Sequence, residues 1–197
     1  MRSNSSVINV YKKNNIKSEV ATQLLYGDTF KKIKKRGSWI KIKIDLDHYK
    51  GFIKNKKFPP NQKDTHKICK LYANLYFKPN LKSKMKKKIS FGSKVKIIEK
   101  KDNFYKFDNL WIKKKNLKKI NYKTKDIFKN INKFVNTKYK WGSKNFAGVD
   151  CSGLIQLFFN FNNKFCPRDA KDQIRYFKKK IELENIRKND LIFWKGH

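Results

Sequence analysis

One spacing constrains this chain more than any other feature: its first two thirds carry the same pattern twice. Tyr26-Gly27 and Phe91-Gly92 are turn-forming pairs 65 residues apart. Trp39 and Phe104, each opening an aromatic strand, are also separated by 65. Gly51-Phe52-Ile53 is then matched by Leu110-Trp111-Ile112 after a shorter hairpin. Between these landmarks the apolar residues alternate with period 2, as in Trp39-Ile40-Lys41-Ile42-Lys43-Ile44, Val95-Lys96-Ile97 and Phe104-Tyr105-Lys106-Phe107. Turn formers separate the runs at Gly27-Asp28, Gly37-Ser38, Gly92-Ser93 and Asp102-Asn103. A duplicated unit of short strands at this length is expected to close into a small β-barrel. The copies span residues 5–58 and 66–118, and Phe58-Pro59-Pro60-Asn61-Gln62-Lys63-Asp64 links them.

The last third changes period. Apolar residues at Ile127, Ile131 and Phe134/Val135 predict an amphipathic helix, with Thr124 as its N-cap. Leu154, Leu157/Phe158 and Phe161 predict a second helix beginning at Asp150-Cys151-Ser152-Gly153, and a third is expected over residues 170–177. Asn189-Asp190-Leu191-Ile192-Phe193-Trp194-Lys195-Gly196-His197 reads as a turn and an apolar strand. The fold class is therefore α+β.

Charge narrows the partners less than its size suggests. Lys+Arg is 51 against Asp+Glu 15, a formal charge of +36. The excess is nearly all lysine, spread along the whole chain, and Arg occurs only at 2, 36, 168, 175 and 187. Arginine-poor basicity is a weak signature for nucleic-acid readout, which favours the planar guanidinium. Lysine solvating every exposed face is the simpler reading, with non-specific attraction to polyanions as its by-product. An aromatic content of 15% supports a packed core. No apolar run reaches the ~18 residues of a membrane span. The start, Met1-Arg2-Ser3-Asn4-Ser5-Ser6-Val7, lacks an apolar core, so no secretory signal is expected and the location expected is cytoplasmic.

Three cysteines, without a CxxC pair and with His48, His66 and His197 scattered, argue against a disulfide framework or a zinc site. Cys69 and Cys166 read as small core fillers. Cys151 lies where a helix begins, and there the dipole and free N–H groups favour a thiolate and a developing oxyanion. His197, at the end of an apolar run, is the residue suited to hold its proton.

The residues around this pair carry a resemblance. Tyr139-Lys140-Trp141-Gly142, Gly148-Val149-Asp150-Cys151-Ser152-Gly153-Leu154-Ile155-Gln156, Cys166-Pro167-Arg168-Asp169-Ala170-Lys171-Asp172-Gln173 and Asn189-Asp190-Leu191-Ile192-Phe193-Trp194 with Gly196-His197 resemble the NlpC-type, papain-like cysteine peptidases of bacterial cell-wall metabolism. The resemblance covers residues 123–197, and the tandem barrels look like the bacterial SH3-like domains that precede it. It implies a γ-D-glutamyl-L-diamino-acid endopeptidase, similar to the dipeptidyl-peptidase-VI type, acting on peptidoglycan-derived peptides with a free N-terminal L-Ala, in muropeptide recycling. No cofactor or metal, no specific nucleic acid and no membrane span are implied.

Carried over residue by residue, the resemblance makes Cys151 the nucleophile and His197 the general base and acid. Tyr139 stands beside the thiol, and Asp150 and Ser152 hold the substrate amine. Tyr49 completes that pocket from the first barrel, with Tyr26 as the alternative, and Arg168 and Asp169 shape the cleft. Plainer readings stand beside these: Asp150 as an N-cap, Ser152 as a first-turn residue, Trp141 as packing and Tyr49 as an ordinary barrel tyrosine. The sequence departs from the family at Cys166, usually aliphatic, and Asn189, usually Gly. It also stops at His197, before further strands and a third polar residue that orients the base, so an incomplete, C-terminally truncated and inactive catalytic domain is the expectation. The competing expectation is an inactive binder of cell-wall peptides or anionic polymers.

Overall fold

The computed structural model describes residues 1–194. Five strands make the first unit: β1 (Val7–Tyr11), β2 (Val20–Leu25), β3 (Phe30–Arg36), β4 (Trp39–Ile44) and β5 (Lys50–Lys54). They form an antiparallel sheet in the order β2-β1-β5-β4-β3. Period-2 alternation decides which face is buried: Ile40, Ile42 and Ile44 close on Val10, Leu24, Phe30 and Ile53. Strand β3 is an edge covered in lysine, exposed at six of its seven residues, which discourages edge-to-edge pairing.

The second unit comprises β6 (His66–Ile68), β7 (Tyr72–Tyr76), β8 (Lys84–Ser90), β9 (Lys94–Val95), β10 (Glu99–Lys101), β11 (Phe104–Phe107), β12 (Leu110–Lys113) and β13 (Leu117–Lys119). Its main sheet runs β8-β7-β12-β11-β10, the strand order of the first unit repeated. The duplication reaches side chains. Tyr11 packs edge-on against Trp39 at 5.4 Å, and Tyr76 packs edge-on against Phe104 at 5.1 Å. Gly27 and Gly92 both have positive φ, +86° and +80°.

The aromatic residue before each of those glycines leaves its own unit. Tyr26 is buried in the core of the second unit beside Phe107, and its hydroxyl donates to Asp108, which also takes Arg2. Phe91 is buried among Phe134, Phe158 and Phe161 of the last third. Each unit thus plugs the core of the next.

The last third contains a two-residue hairpin, β14 (Lys144–Asn145) and β15 (Gly148–Val149), followed by α1 (Cys151–Phe161) and α2 (Ala170–Tyr176). The helix predicted from Thr124 does not form: the segment is turns with a single 3-10 turn at Ile131–Phe134. The Thr124 N–H and hydroxyl both donate to Asn162 Oδ1, so the residue ties down the end of α1 instead of opening a helix. Asn130, Asn132 and Asn136 are poor helix formers, and Val135 is left exposed. The predicted apolar strand is also absent over its described part, where Leu191–Trp194 is irregular and pairs with no strand among the described residues.

Candidate active site

Helix α1 starts at Cys151 because Asp150 caps it. Asp150 has extended backbone, φ −97° and ψ 171°, and its Oδ1 accepts from Gly153 N at 2.7 Å. The thiol of Cys151 is exposed at the first helical position, where the first N–H groups have no intrahelical partner. Close approach dictates the glycines here. A Cβ on Gly142, at φ +71°, would lie 2.0 Å from the Val20 carbonyl oxygen, and one on Gly153 would lie 2.7 Å from Asp150 Oδ1 and Ser143 O.

Asp150 has no acceptor left for a substrate. Gly142 N donates to its Oδ2 at 2.8 Å, and Arg168 donates bidentately, Nη1 to Oδ1 at 3.0 Å and Nη2 to Oδ2 at 2.6 Å. Arg168 Nη1 also reaches Ser152 Oγ at 2.9 Å, and Nε reaches Thr22 Oγ1 of β2 at 2.9 Å. Asp150 and Ser152, expected to hold the substrate amine, are both buried, and a guanidinium already balances the carboxylate. Arg168 is a buried clamp between Thr22 of β2 and the start of α1.

The free carboxylate is the next residue. Asp169 occupies the N-cap position of α2 but makes no side-chain cap bond. Its Oδ2 lies 3.4 Å from the Tyr49 hydroxyl. Burial raises the Asp169 carboxyl above the ordinary carboxylate range, partly offset by Arg168. Burial, then the Asp169 charge, pushes the Tyr49 phenol up to about 12, so it is a hydrogen-bond donor at neutral pH. Tyr49 arrives there on the β4–β5 hairpin, whose Asp47 accepts from Gln156 Nε2 of α1 at 2.9 Å. The equivalent hairpin of the second unit is two residues long, Asp108-Asn109, and carries no such side chain. Tyr26, the alternative to Tyr49, is excluded from the cleft by its burial in the second unit.

Tyr139 pairs with Val149 through a parallel bridge and is largely exposed. Its phenol is raised by burial first, then by the Cys151 and Asp150 charges. Trp141, expected to pack, is exposed and donates Nε1 to Glu19 Oε1 at 2.7 Å. Glu19 escaped the sequence reading. It sits in the β1–β2 loop, pairs with Lys12 at 2.7 Å and adds its charge at Tyr49. Nothing local in the sequence distinguishes it from a surface carboxylate. His197 lies outside the described residues. No His/Cys/Asp/Glu cluster among the described residues could hold a metal ion. A cleft of about 1020 Å³ lies elsewhere, between α2 and the segment from Lys178 to Trp194.

Behind the site, unit and helix are sewn together. Gln23 Oε1 accepts from Lys144 N at 2.9 Å and from Asn145 Nδ2 at 2.8 Å. The buried Lys144 ammonium donates to Gln156 Oε1 at 3.2 Å. At the far end of α1, the Lys67 ammonium from β6 donates to Phe161 O at 2.5 Å and to Asn163 Oδ1 at 3.2 Å.

Residues 136–197 match the NlpC/P60 family, and residues 10–58 match the bacterial dipeptidyl-peptidase Sh3 domain. The chain is 24% identical over 203 residues to a gamma-D-glutamyl-L-lysine dipeptidyl-peptidase of Bacillus cereus, covering 90% of this chain and 60% of that protein. It is 36% identical over 64 residues to dipeptidyl-peptidase 6 of Lysinibacillus sphaericus, 32% of this chain and 24% of that one. The chain thus spans less than two thirds of either relative. A crystal structure of an NlpC/P60 family protein from Bacillus cereus shares the fold, with TM-score 0.79 at 17% identity over 95% of this chain and 80% of that one.

Proposed function

We propose that this protein, whose residues 136–197 match the NlpC/P60 family and whose residues 10–58 match the bacterial dipeptidyl-peptidase Sh3 domain, is a cysteine peptidase that hydrolyses peptidoglycan-derived peptides. The observation that carries the reading is the exposed thiol of Cys151 at the first position of α1. The phenol of Tyr49, from the first unit, meets the carboxylate of Asp169 on the loop that opens α2.

In this reading the Cys151 thiolate attacks the carbonyl carbon of an amide. His197 takes the thiol proton and returns it to the departing amine, and water then hydrolyses the thioester. The N–H groups opening α1 and the Tyr139 phenol stabilise the oxyanion. Asp169 and Tyr49 receive the substrate's free N-terminal ammonium, and Glu19 adds negative charge to the same wall. A half-buried carboxylate that loses its cationic partner is costly, so peptides without a free amine are disfavoured. The bond proposed is γ-D-glutamyl to an L-diamino acid, two residues beyond that amine. Selection for a free amine favours released peptides over intact wall, which supports recycling, with the cytoplasm as the proposed site of action.

The test compares L-Ala-γ-D-Glu-L-Lys with its N-acetyl form. Release of L-Lys from the free peptide alone is the expected outcome. Equal cleavage of both forms, or cleavage retained in Cys151→Ala, overturns the proposal.

A further inference from the structure

A single side-chain amide ties together the two residues assigned to the substrate amine. Gln156 of α1 is fully buried. Its Nε2 donates to Asp47 Oδ2 at 2.9 Å, 109 residues back along the chain, and to Cys166 O at 3.1 Å, 10 residues on. Its Oε1 accepts from the buried Lys144 ammonium at 3.2 Å, which itself lies 4.0 Å from the Asp28 carboxylate. A cation at one end, with a carboxylate and a carbonyl at the other, admits one orientation of the amide. A buried amide so fully paired connects elements and does more than fill space.

Each arm leads to one member of the Tyr49–Asp169 pair. On the first, Asp47 Oδ1 accepts from Tyr49 N at 3.0 Å, so the Gln156 amide reaches the Tyr49 backbone through one carboxylate. The residue between them, His48, has φ +60°, a left-handed conformation that a non-glycine residue keeps where its neighbours hold it. On the second arm, Cys166 leads through Pro167, whose ring fixes φ, to Arg168 and Asp169. Gln173 Nε2 braces this stretch from α2, donating to Pro167 O and to Ser152 O, both at 2.9 Å. The hairpin that carries Tyr49 and the loop that carries Asp169 thus meet on one side chain of α1.

We propose that Gln156 is a positioning residue for substrate recognition: its amide holds the Tyr49 phenol and the Asp169 carboxylate at the spacing that receives an ammonium. This rests on the amine-binding role proposed for the pair. A displacement of about 1 Å in either member is enough to weaken such a contact.

The test titrates Cys151→Ala protein calorimetrically with L-Ala-γ-D-Glu-L-Lys and its N-acetyl form. Gln156→Glu keeps the acceptor for Lys144 but turns an oxygen towards Asp47 and Cys166 O. It should weaken the free peptide about tenfold and leave the N-acetyl form unchanged. Asp47→Asn alone sets one donor against another and should weaken the free peptide too. Combined with Gln156→Glu it reverses the polarity of the first arm while still accepting from Tyr49 N, and should recover about threefold of the loss. Gln156→Met removes the same bonds without repulsion and should show the same selective loss, with no recovery from Asp47→Asn. Without peptide, the Tyr49 and Asp169 amide signals in ¹H–¹⁵N spectra should move together in both Gln156 variants. Equal weakening of the two peptides, no recovery in the Glu/Asn combination, or spectra changed along α1 with Tyr49 and Asp169 unmoved overturns the proposal. Equal affinity of the parent protein for both peptides overturns the amine reading instead, while the spectra still decide whether Gln156 sets the pair.

Discussion

The hydroxyl of Tyr49 stands 3.4 Å from the carboxylate of Asp169, 120 residues further along the chain. The pair joins the first unit to the loop beside the thiol. Tyr49→Phe and Asp169→Asn should each raise KM for a free-amine tripeptide about tenfold or more, with little change for the N-acetyl form. Steady-state kinetics on the two peptides separate this from a general loss of activity.

That pair also sets an acid limb. Burial raises the Asp169 carboxyl above its ordinary 3.8, and the proposed ammonium contact needs the ionised form. As pH falls through the raised value the site loses its charge, so KM for the free amine should climb at a higher pH than an ordinary carboxylate would give. In Asp169→Asn this limb should vanish from the KM profile.

The three thiols should differ in reactivity. Cys151 is exposed, Cys69 is partly buried with its thiol raised by burial, and burial pushes the Cys166 thiol up to about 12. Substoichiometric iodoacetamide at neutral pH should therefore modify Cys151 first and Cys166 last, as peptide mass mapping would show. Cys151→Ala should abolish turnover and leave the unfolding midpoint nearly unchanged.

Arg168 is the partner that makes a buried Asp150 tolerable. Arg168→Met should cost about 3–5 kcal/mol, because it strands a buried carboxylate. Adding Asp150→Asn should recover part of the loss, as a double-mutant cycle in denaturant would read.

Lys67 gives a stability signature on the alkaline side. Burial lowers its ammonium from 10.5 to about 8. The unfolded chain therefore holds more protons than the folded one between these values, and stability from this group rises with pH across that window. The difference between wild type and Lys67→Met in urea midpoints should follow that rise. The variant also leaves Phe161 O without its donor at the end of α1.

Some of these features were legible in local sequence. The period-2 runs and the 65-residue spacing foretold strands and the repeated order, because alternation and turn chemistry act over a few residues. The start of α1 was legible because a cap followed by an apolar 3.6-residue stripe is also local. The stretch after Thr124 misled for the same reason. Its stripe is real, and Ile127, Phe128 and Ile131 do pack on the aromatic cluster around Phe158, but they do so from turns. Asn162 captures the Thr124 N–H, and the asparagines offer little helical drive to resist it.

Sequence alone determined where the strands alternate, where α1 begins and which sulfur stands at its first turn. Tertiary structure alone decided what each carboxylate is for. Asp150 and Asp169 flank the same cleft with the same chemistry, yet one is saturated by Arg168, Gly142 and Gly153 while the other keeps its charge for Tyr49 and whatever enters. A carboxylate's role depends on the donors that reach it. Here Tyr49, which donates to Asp169, and Thr22, which accepts from the Arg168 that saturates Asp150, come from a unit more than a hundred residues away, brought by contacts that no local pattern encodes.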